Sequence, residues 1–289
     1  VTRALAALGL VLAAGLARAE DEVARGEYVF RAAGGCTCHN VEGGAALAGG
    51  RPLTTPFGVF YSTNITPDRE TGIGRMSAAD FRRAMREGVA PDGSDYFPVF
   101  PYTSFTGMSD ADLRALRTYL FSLPAVRLEN REPDACPPFN WRASASLWKW
   151  AFFEPRRVEP DPRRPSDWNR GRYLGEAVAH CGECHTPRNL AGALERARAL
   201  VGSEDGPEGE LAPNLTPESE TGLGDWSASD VIWLLQTGFK PDGDDAQGLM
   251  RELIESGYRH LTREDLSAIA TWLGSLEPVH NRVKAPELD

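Results

Sequence analysis

One motif occurs twice in this sequence, and this internal repeat constrains the fold more than any other feature. The segment Asn64–Gly74 (NITPDRETGIG) recurs as Asn214–Gly224 (NLTPESETGLG), with seven of the eleven positions identical. A repeat of this length predicts two homologous domains, each within the usual size of roughly 100–200 residues. Shorter matches keep the same order at offsets of 145 to 150 residues: Arg25–Tyr28 with Arg170–Tyr173, Cys38-His39 with Cys184-His185, and Pro91–Gly93 with Pro241–Gly243.

The segment between the two copies has a different composition. Residues 141–153 hold five aromatic side chains, and residues 154–165 hold four prolines. We interpret this segment as a linker with one aromatic helix, whose side chains pack across the joint between the domains in preference to docking a partner. The predicted units are a first domain (20–126), a linker (127–168), a second domain (169–280) and a C-terminal tail (281–289).

Helix signals are strong in both copies, and strand signals are weak. Ser77 and Ser227 each begin a predicted helix, with an aspartate three residues later that can reach back to the first turn. Ser109 and Thr262 cap the last helix of each copy, which carries its apolar side chains on one face. We therefore predict an all-α fold of two tandem domains. Long loops around few apolar side chains indicate that something other than protein completes each core.

Residues 1–19 have the pattern of a secretory signal peptide. Arg3 gives a basic start, Ala4–Leu16 is apolar, and Ala17–Ala19 fits a cleavage site that three acidic residues follow. The apolar stretch is shorter than the ~20 residues that a membrane-spanning helix needs. We predict export to the periplasm with cleavage after Ala19, the alternative being a buried N-terminal helix of the folded domain.

The charge balance excludes one class of function. Acidic side chains outnumber basic ones 41 to 31, and the net charge is −10 at pH 7. Nucleic-acid binding needs a positive surface to neutralise phosphates, so the sequence argues against that role. We expect partners that have a basic docking patch.

The second copy contains a complete Cys-x-x-Cys-His motif at Cys181–His185. Two thiols on one turn can add to the two vinyl groups of a haem, and the histidine then lies beneath the iron as an axial ligand. A zinc site would need further ligands, a thioredoxin-like pair would need a strand–helix setting, and a plain disulfide would leave the histidine unexplained. We therefore predict a covalently bound haem c (haem 2) at Cys181, Cys184 and His185.

The first copy has a shortened motif, Cys36-Thr37-Cys38-His39, with one residue between the cysteines. Cys38 and His39 keep their places in the repeat, which preserves one thioether and the iron ligand of a second haem c (haem 1). Cys36 forms the other thioether or stays unattached. The fifth cysteine, Cys136, can pair with Cys36 if haem 1 has a single thioether, and is otherwise an odd thiol. We predict two thioethers.

The sixth ligand of each iron is the remaining question. A methionine thioether opposite histidine gives a potential suited to an electron carrier. Met250 lies in the loop before the last helix of the second copy and is the only methionine there, so we predict it as the ligand of haem 2. Met76 and Met85 fit core packing. Met108 is then the candidate for haem 1, the alternative being a five-coordinate or differently ligated iron.

Together these motifs resemble the cytochrome c subunits of bacterial membrane-bound alcohol and aldehyde dehydrogenases and their soluble two-haem relatives. The resemblance covers residues 25–280 and rests on the paired Asn-x-Thr-Pro segments, Cys181–Arg188, Phe100–Tyr102 and Ser256–Asp265. It implies small helical cytochrome c domains that relay electrons from a dehydrogenase. Those subunits typically carry three haem motifs where this chain has two, and a methionine where this chain has Phe100.

The leading hypothesis is a periplasmic two-haem cytochrome that relays electrons from a dehydrogenase partner to a cytochrome, an oxidase or a quinone-linked chain. The alternative is a two-haem enzyme in which a reactive haem 1 oxidises a small sulfur anion or reduces peroxide. A structural subunit that holds a dehydrogenase through the aromatic linker is a third hypothesis, and it is compatible with the first. Peripheral association with a membrane is compatible with all three.

Overall fold

The computed structural model describes residues 20–284, and its backbone is mostly helical. The predicted signal peptide, residues 1–19, lies outside the described residues, as do residues 285–289 of the predicted tail. Within residues 20–284, no helix is both long and apolar enough to cross a membrane. The helices, in chain order, are α1 (residues 20–32), α2 (Ala78–Glu87), α3 (Tyr102–Phe105), α4 (Asp110–Ser122), α5 (Arg142–Phe152), α6 (Ser166–Tyr173), α7 (Gly182–His185), α8 (Ala228–Thr237), α9 (Gly248–Ser256) and α10 (Arg263–Leu273).

A β-hairpin that the sequence did not predict follows the first Cys-His motif. β1 (Pro52–Thr55) and β2 (Gly58–Tyr61) pair antiparallel along their whole length. Val59 also exchanges two backbone hydrogen bonds with Asp134, which ties the start of the linker to the hairpin. The all-α prediction is therefore right for the helices and misses this hairpin, because strands of four residues are too short to give a clear alternating pattern.

The two copies of the repeat fold into corresponding helices. Ser77 and Ser227 begin α2 and α8, and each forms a reciprocal capping box with the aspartate three residues later. Ser109 and Thr262 cap α4 and α10 through their hydroxyl oxygens. These predicted helix starts are confirmed. The copies differ at the hairpin β1–β2, which only the first copy has among residues 20–284, and where the nine-residue α9 stands in place of the four-residue α3.

A glycine on the first helix of each copy allows that helix to cross the last helix at close range. A Cβ atom at Gly26 in α1 would lie 2.0 Å from the carbonyl oxygen of Ala115 in α4. A Cβ atom at Gly171 in α6 would lie 1.9 Å from the carbonyl oxygen of Ala268 in α10. No side chain fits at either crossing, which accounts for the recurrence of Gly-x-Tyr in both copies.

The tyrosine two residues after each glycine reaches across to the other copy. Tyr28 donates its hydroxyl hydrogen to Asp265, and Tyr173 donates to Asp112, each at 2.5 Å. Each aspartate is also held by an arginine from the first helix of its own copy. We call these contacts the crossed tyrosine pairs. They join the two copies through a nearly symmetric set of charge-assisted hydrogen bonds.

The main apolar core is shared between the copies. One continuous cluster of buried side chains includes Phe30 and Leu113 from the first copy and Leu174 and Ile254 from the second. A small second cluster lies beneath α5. The copies therefore pack against each other through apolar side chains as well as through the crossed tyrosine pairs.

The linker helix α5 divides its large side chains between the joint and the surface. The indole N–H of Trp148 donates to the carbonyl oxygen of Ala191 at 2.7 Å, and Phe153 packs edge-on against Tyr102. The interpretation as joint packing holds for Trp148 and Phe153 and is wrong for the outer face, where Trp150 is 83% exposed. The exposed large apolar side chains of this helix and its N-cap are Trp141, Leu147, Trp150 and Phe152.

Replacing Gly171 with alanine tests the helix crossing. The new methyl group would overlap a backbone carbonyl, so α6 and α10 must separate, and we expect the free energy of unfolding to fall by about 3 kcal/mol. Gly274→Ala is the matched control, because its Cβ would lie 3.3 Å from the nearest atom at the end of α10. Urea unfolding of the full chain measures both. Equal stabilities for the two variants would contradict the close crossing.

Replacing Tyr173 with phenylalanine tests the crossed tyrosine pairs. Burial alone would raise the pKa of Asp112, but hydrogen bonds from Tyr173 and Arg25 hold that pKa below its ordinary value. The pair therefore stabilises the fold above about pH 4 and loses this contribution as the pH falls through the folded-state pKa. We expect Tyr173→Phe to lose about 1.5–3 kcal/mol at pH 7 and to show a weaker acid dependence.

Tyr119→Phe, in α4, is the control for this experiment. The Tyr119 ring packs against Phe30, and within residues 20–284 its hydroxyl forms no hydrogen bond, so this change should alter stability by less than about 0.5 kcal/mol. An equal loss in the two variants, at both neutral and acid pH, would show that the crossed hydrogen bond does not stabilise the chain.

Candidate functional site

The histidine of each Cys-His motif is held by one ring nitrogen. Nδ1 of His39 lies 2.6 Å from the carbonyl oxygen of Thr63, and Nδ1 of His185 lies 2.7 Å from that of Pro213. Because a carbonyl only accepts, Nδ1 carries the proton in both rings and Nε2 keeps a free lone pair. Burial lowers the pKa of both imidazoles, which keeps them neutral. Both rings are thus in the state in which histidine binds a metal.

The carbonyls that hold the histidines lie at the start of the repeated Asn-x-Thr-Pro segments. They directly precede Asn64 and Asn214, which are buried. Oδ1 of Asn214 accepts from the N–H and the hydroxyl of Thr216 at 2.9 and 2.8 Å, and Nδ2 donates to the carbonyl of Val279 at 2.8 Å. Asn64 forms the same three bonds in the first copy. Each loop is thereby fixed to the chain that leaves the last helix, and the histidine is fixed to the loop.

The second motif is held by contacts from the first copy. α7 places Cys184 and His185 on one short turn. Glu183, between the two cysteines of this motif, is buried, and its Oε1 accepts from the hydroxyls of Thr103 and Ser104 at 2.7 and 2.6 Å. Its Oε2 pairs with a neighbouring arginine at 2.8 Å. The cysteine-bearing turn is therefore attached to α3 of the other copy.

The shortened first motif forms a turn of a different shape. Gly34, Gly35 and Cys36 have φ values of 72°, 67° and 49°, in the left-handed region that favours glycine. Cys36 stands where the second copy has Gly182. A Cβ atom at Gly35 would lie 2.8 Å from the backbone of Ser256 in α9, so this turn also packs tightly against the other copy. The missing residue is accommodated by three successive left-handed residues.

The cysteine thiols of both motifs are half-buried and unbridged, and the exposed thiol of Cys136 is unbridged as well. Burial raises the pKa of Cys36 and Cys184 to about 12 and that of Cys181 to about 11. The disulfide alternative between Cys36 and Cys136 is not formed in this structure.

Tyr258 lies between the two motifs, a position that the sequence did not indicate. It is buried, and its hydroxyl donates to the carbonyl of Ala179 at 3.2 Å. Burial raises its pKa well above the ordinary value, and the charges of Cys181, Cys184 and Cys38 raise it further. Ala179 lies two residues before Cys181, and a Cβ atom at the neighbouring Gly257 would lie 2.5 Å from Gly34, so the segment around Tyr258 contacts the turns of both Cys-His motifs.

The four methionines occupy different environments. Met108 is 0% exposed and lies in the turn between α3 and α4. Met250 is half-buried in the first turn of α9, so its predicted position in a loop is wrong. No clear sequence signal indicates α9, because the glycines and aspartates that precede it are typical of a loop. Met85 is buried in α2 and Met76 packs against the core, as predicted.

These residues suit a haem c in each copy. Each site offers a neutral imidazole with a free Nε2, protonated thiols beside it in the chain, and a methionine in the same copy. Among residues 20–284, neither Nε2 has a hydrogen-bond partner, although Nδ1 of the same ring is firmly held. An oriented histidine with one unused nitrogen is the arrangement that an axial metal ligand requires.

An ion cluster beside the first motif was missed by the sequence reasoning. Arg51 forms paired hydrogen bonds with Glu208 and Glu252 of the second copy at distances of 2.5 to 3.1 Å. Burial raises the pKa of Cys38, and the charges of this cluster also act on it. The partners lie 157 and 201 residues away in the sequence, so no local pattern reveals them.

Comparison with known proteins gives relatives over most of the chain, although no protein-family model matches it. The chain is 39% identical to the gluconate 2-dehydrogenase cytochrome c subunit of Pantoea cypripedii, over 88% of this chain and 59% of that protein. It is 38% identical to the fructose dehydrogenase cytochrome subunit of Gluconobacter japonicus, over 88% and 52%. It is 40% identical to a diheme cytochrome c-type protein of Cereibacter sphaeroides, over 87% and 85%. The chain thus spans between half and three fifths of the two dehydrogenase subunits.

Intact mass after alkylation of free thiols tests the attachment at Cys36. Cys36 is half-buried on the same turn as Cys38, whereas Cys136 is exposed beside the hairpin. We expect a mass with two haems and a single alkyl group, and the label should map to Cys136. The Cys136→Ser variant is the control and should carry no label. An alkylated Cys36, or a Cys36–Cys136 disulfide released by reduction, would contradict two thioethers at haem 1.

Proposed function

This chain belongs to the family of diheme c-type cytochromes and dehydrogenase cytochrome c subunits, and we propose that it relays electrons through two covalently bound haems c. Family membership confirms the resemblance seen in the sequence. The relatives include cytochrome subunits of gluconate, fructose and alcohol dehydrogenases. For this chain, the proposed donor is a dehydrogenase partner, and the proposed acceptor is a cytochrome, an oxidase or a quinone-linked chain.

The observation that carries the proposal is the paired histidine geometry. His39 and His185 each donate from Nδ1 to a backbone carbonyl and each keep Nε2 free, at the end of a cysteine-containing motif. Two independent copies of the same arrangement in one chain support two similar iron sites. Two similar sites that lie close together suit the transfer of electrons from one to the other.

The chain's side chains have distinct roles in this proposal. A bound haem supplies an iron centre that changes charge by one electron. The thiols fix the position of the group, the histidine and methionine set its potential, and the apolar surroundings restrict water. The proposed attachment residues are Cys36 and Cys38 for haem 1 and Cys181 and Cys184 for haem 2. The proposed axial pairs are His39 with Met108 and His185 with Met250.

The proposed architecture is two cytochrome c-like domains, residues 20–126 and 169–280, with an aromatic, proline-rich linker at 127–168. The matched helix crossings, capping boxes and asparagine-braced loops of the two copies support it. The crossed tyrosine pairs and the shared apolar cluster dock the domains in one arrangement. A fixed arrangement keeps the two iron sites at a constant separation, which a relay requires.

The proposed location is the periplasm, where covalent haem attachment and an unbridged Cys136 thiol would have to coexist with oxidising conditions. The signal-like pattern of residues 1–19 supports this location. The net charge of −10 supports an acceptor with a basic docking patch, because opposite charges steer the encounter between redox partners.

Reductive titration of the purified full chain tests the relay. We expect reversible uptake of two electrons per chain, because each of the two irons changes by one charge. The reduced protein should bind carbon monoxide slowly, since a methionine must first leave each iron. Met108→Ala is the matched variant: it should bind one carbon monoxide per chain rapidly. Rapid, stoichiometric binding by the unaltered protein would contradict the relay and favour an enzyme with a reactive haem 1.

A further inference from the structure

Arg86 is a buried arginine of α2 whose hydrogen bonds all end on the turn around Met108. Its side chain is 8% exposed. Nη2 donates to the carbonyl oxygen of Met108 at 2.8 Å and to the carboxylate of Asp110 at 2.7 Å. Nη1 lies 3.4 Å from the carbonyl oxygen of Thr106. One side chain therefore connects Thr106 and Met108, in the turn between α3 and α4, with Asp110 at the start of α4.

The burial of this guanidinium has a specific cause. Burying a charged group costs free energy unless its charge and its hydrogen-bond donors are both satisfied. Asp110 is 61% exposed, so an arginine could form this ion pair while remaining at the surface. The two carbonyls are the contacts that require Arg86 to enter the protein, and Nε of Arg86 stays without a partner among residues 20–284 as a result. The bonds to these carbonyls and the ion pair with Asp110 together offset the cost of burying the guanidinium.

The second copy lacks this arrangement. At the repeat offset of 150, α8 carries Gln236 where α2 carries Arg86. Leu261 stands where the first copy has Met108, because each directly precedes the residue that caps the last helix, Thr262 or Ser109. The methionine of the second copy, Met250, lies instead within α9, where helical hydrogen bonds fix its backbone. The buried guanidinium therefore occurs in the copy whose methionine lies outside a helix.

We propose that Arg86 is a positioning residue that holds Met108 where its sulfur can bind the iron of haem 1. This inference rests on the proposed assignment of Met108 as the sixth ligand. The N–H of Met108 bonds to Phe105 at 3.0 Å, and Arg86 supplies the second backbone anchor through the carbonyl. A turn that is already ordered presents its ligand without a further loss of conformational entropy, so the sulfur–iron bond is stronger.

The test replaces Arg86 with the residue that the second copy has at this position. In Arg86→Gln, we expect the ratio of methionine-bound to methionine-free haem 1 to fall about 10- to 100-fold, as loss of a hydrogen bond from a charged group implies. The visible charge-transfer band of methionine-bound ferric haem and the potential of haem 1 report this ratio. Haem 2, in the same molecule, should be unchanged and serves as an internal control.

Arg83→Gln is the matched control on the same helix. Arg83 is 39% exposed and contacts Asp80 and the carbonyl of Ala90, outside the Met108 turn. It should leave both haems unaltered. Arg86→Lys keeps the positive charge but replaces the planar guanidinium with a single ammonium group. This change should weaken methionine binding less than Arg86→Gln does. If Arg86→Gln fails to fold, Arg86→Lys against Arg83→Gln gives the same comparison.

Met108→Ala separates the inference from the assignment on which it rests. If Met108→Ala leaves the spectrum of haem 1 unaltered, Met108 is not the ligand, and both the assignment and the inference fail. If Met108→Ala removes the methionine band and the Arg86 variants retain it with an unchanged potential, the assignment stands and the inference is wrong. Loss of the band in both Met108→Ala and Arg86→Gln, with haem 2 intact, supports the positioning role.

Discussion

The hydrogen bond between each motif histidine and a backbone carbonyl is the contact on which the rest of the structure depends. It connects the Cys-His turn to the Asn-x-Thr-Pro loop, and the buried asparagine of that loop connects it to the chain after the last helix. The last helix crosses the first at a glycine, and the first helix leads back into the Cys-His turn. In each copy, the contacts therefore run from the imidazole through the loop, the last helix and the first helix back to the Cys-His turn. Each of these segments helps to orient the imidazole, which explains why they are the segments that recur in both copies.

The two copies also contact each other at their Cys-His motifs. Glu183 in the second motif is held by hydroxyls of α3, and the turn of the first motif packs against α9. Tyr28 and Tyr173 cross between the copies, and the segment around Tyr258 contacts the turns of both motifs. Each motif is therefore packed against residues of the other copy, which fixes the two motifs relative to each other. For a relay this is an advantage, because packed interiors hold distances constant.

Sequence reasoning was accurate where the determining contacts are local. The capping boxes of Ser77 and Ser227 involve residues three apart, and the Cys-His motif is read within five residues, so both were predictable. The hairpin and α9 were missed because a short strand and a helix that follows a glycine-rich loop give weak periodic signals. Contacts such as that between Tyr28 and Asp265 could not be predicted, because the two residues are 237 apart in the sequence. Neither residue belongs to a local pattern that indicates a partner. The shortened spacing of the first motif is likewise visible in the sequence, but the left-handed turn that accommodates it depends on the close approach of α9 from the other copy.

The most direct test of the central claim is the number of haems that stay with the polypeptide after denaturation under conditions that extract non-covalent haem. Because His39 and His185 are presented in the same way at the ends of two cysteine motifs, the account predicts two haems per chain, one on a peptide with Cys38 and one on a peptide with Cys181 and Cys184. A single covalently bound haem, on the peptide of the second motif, would contradict the claim that both histidines belong to haem sites.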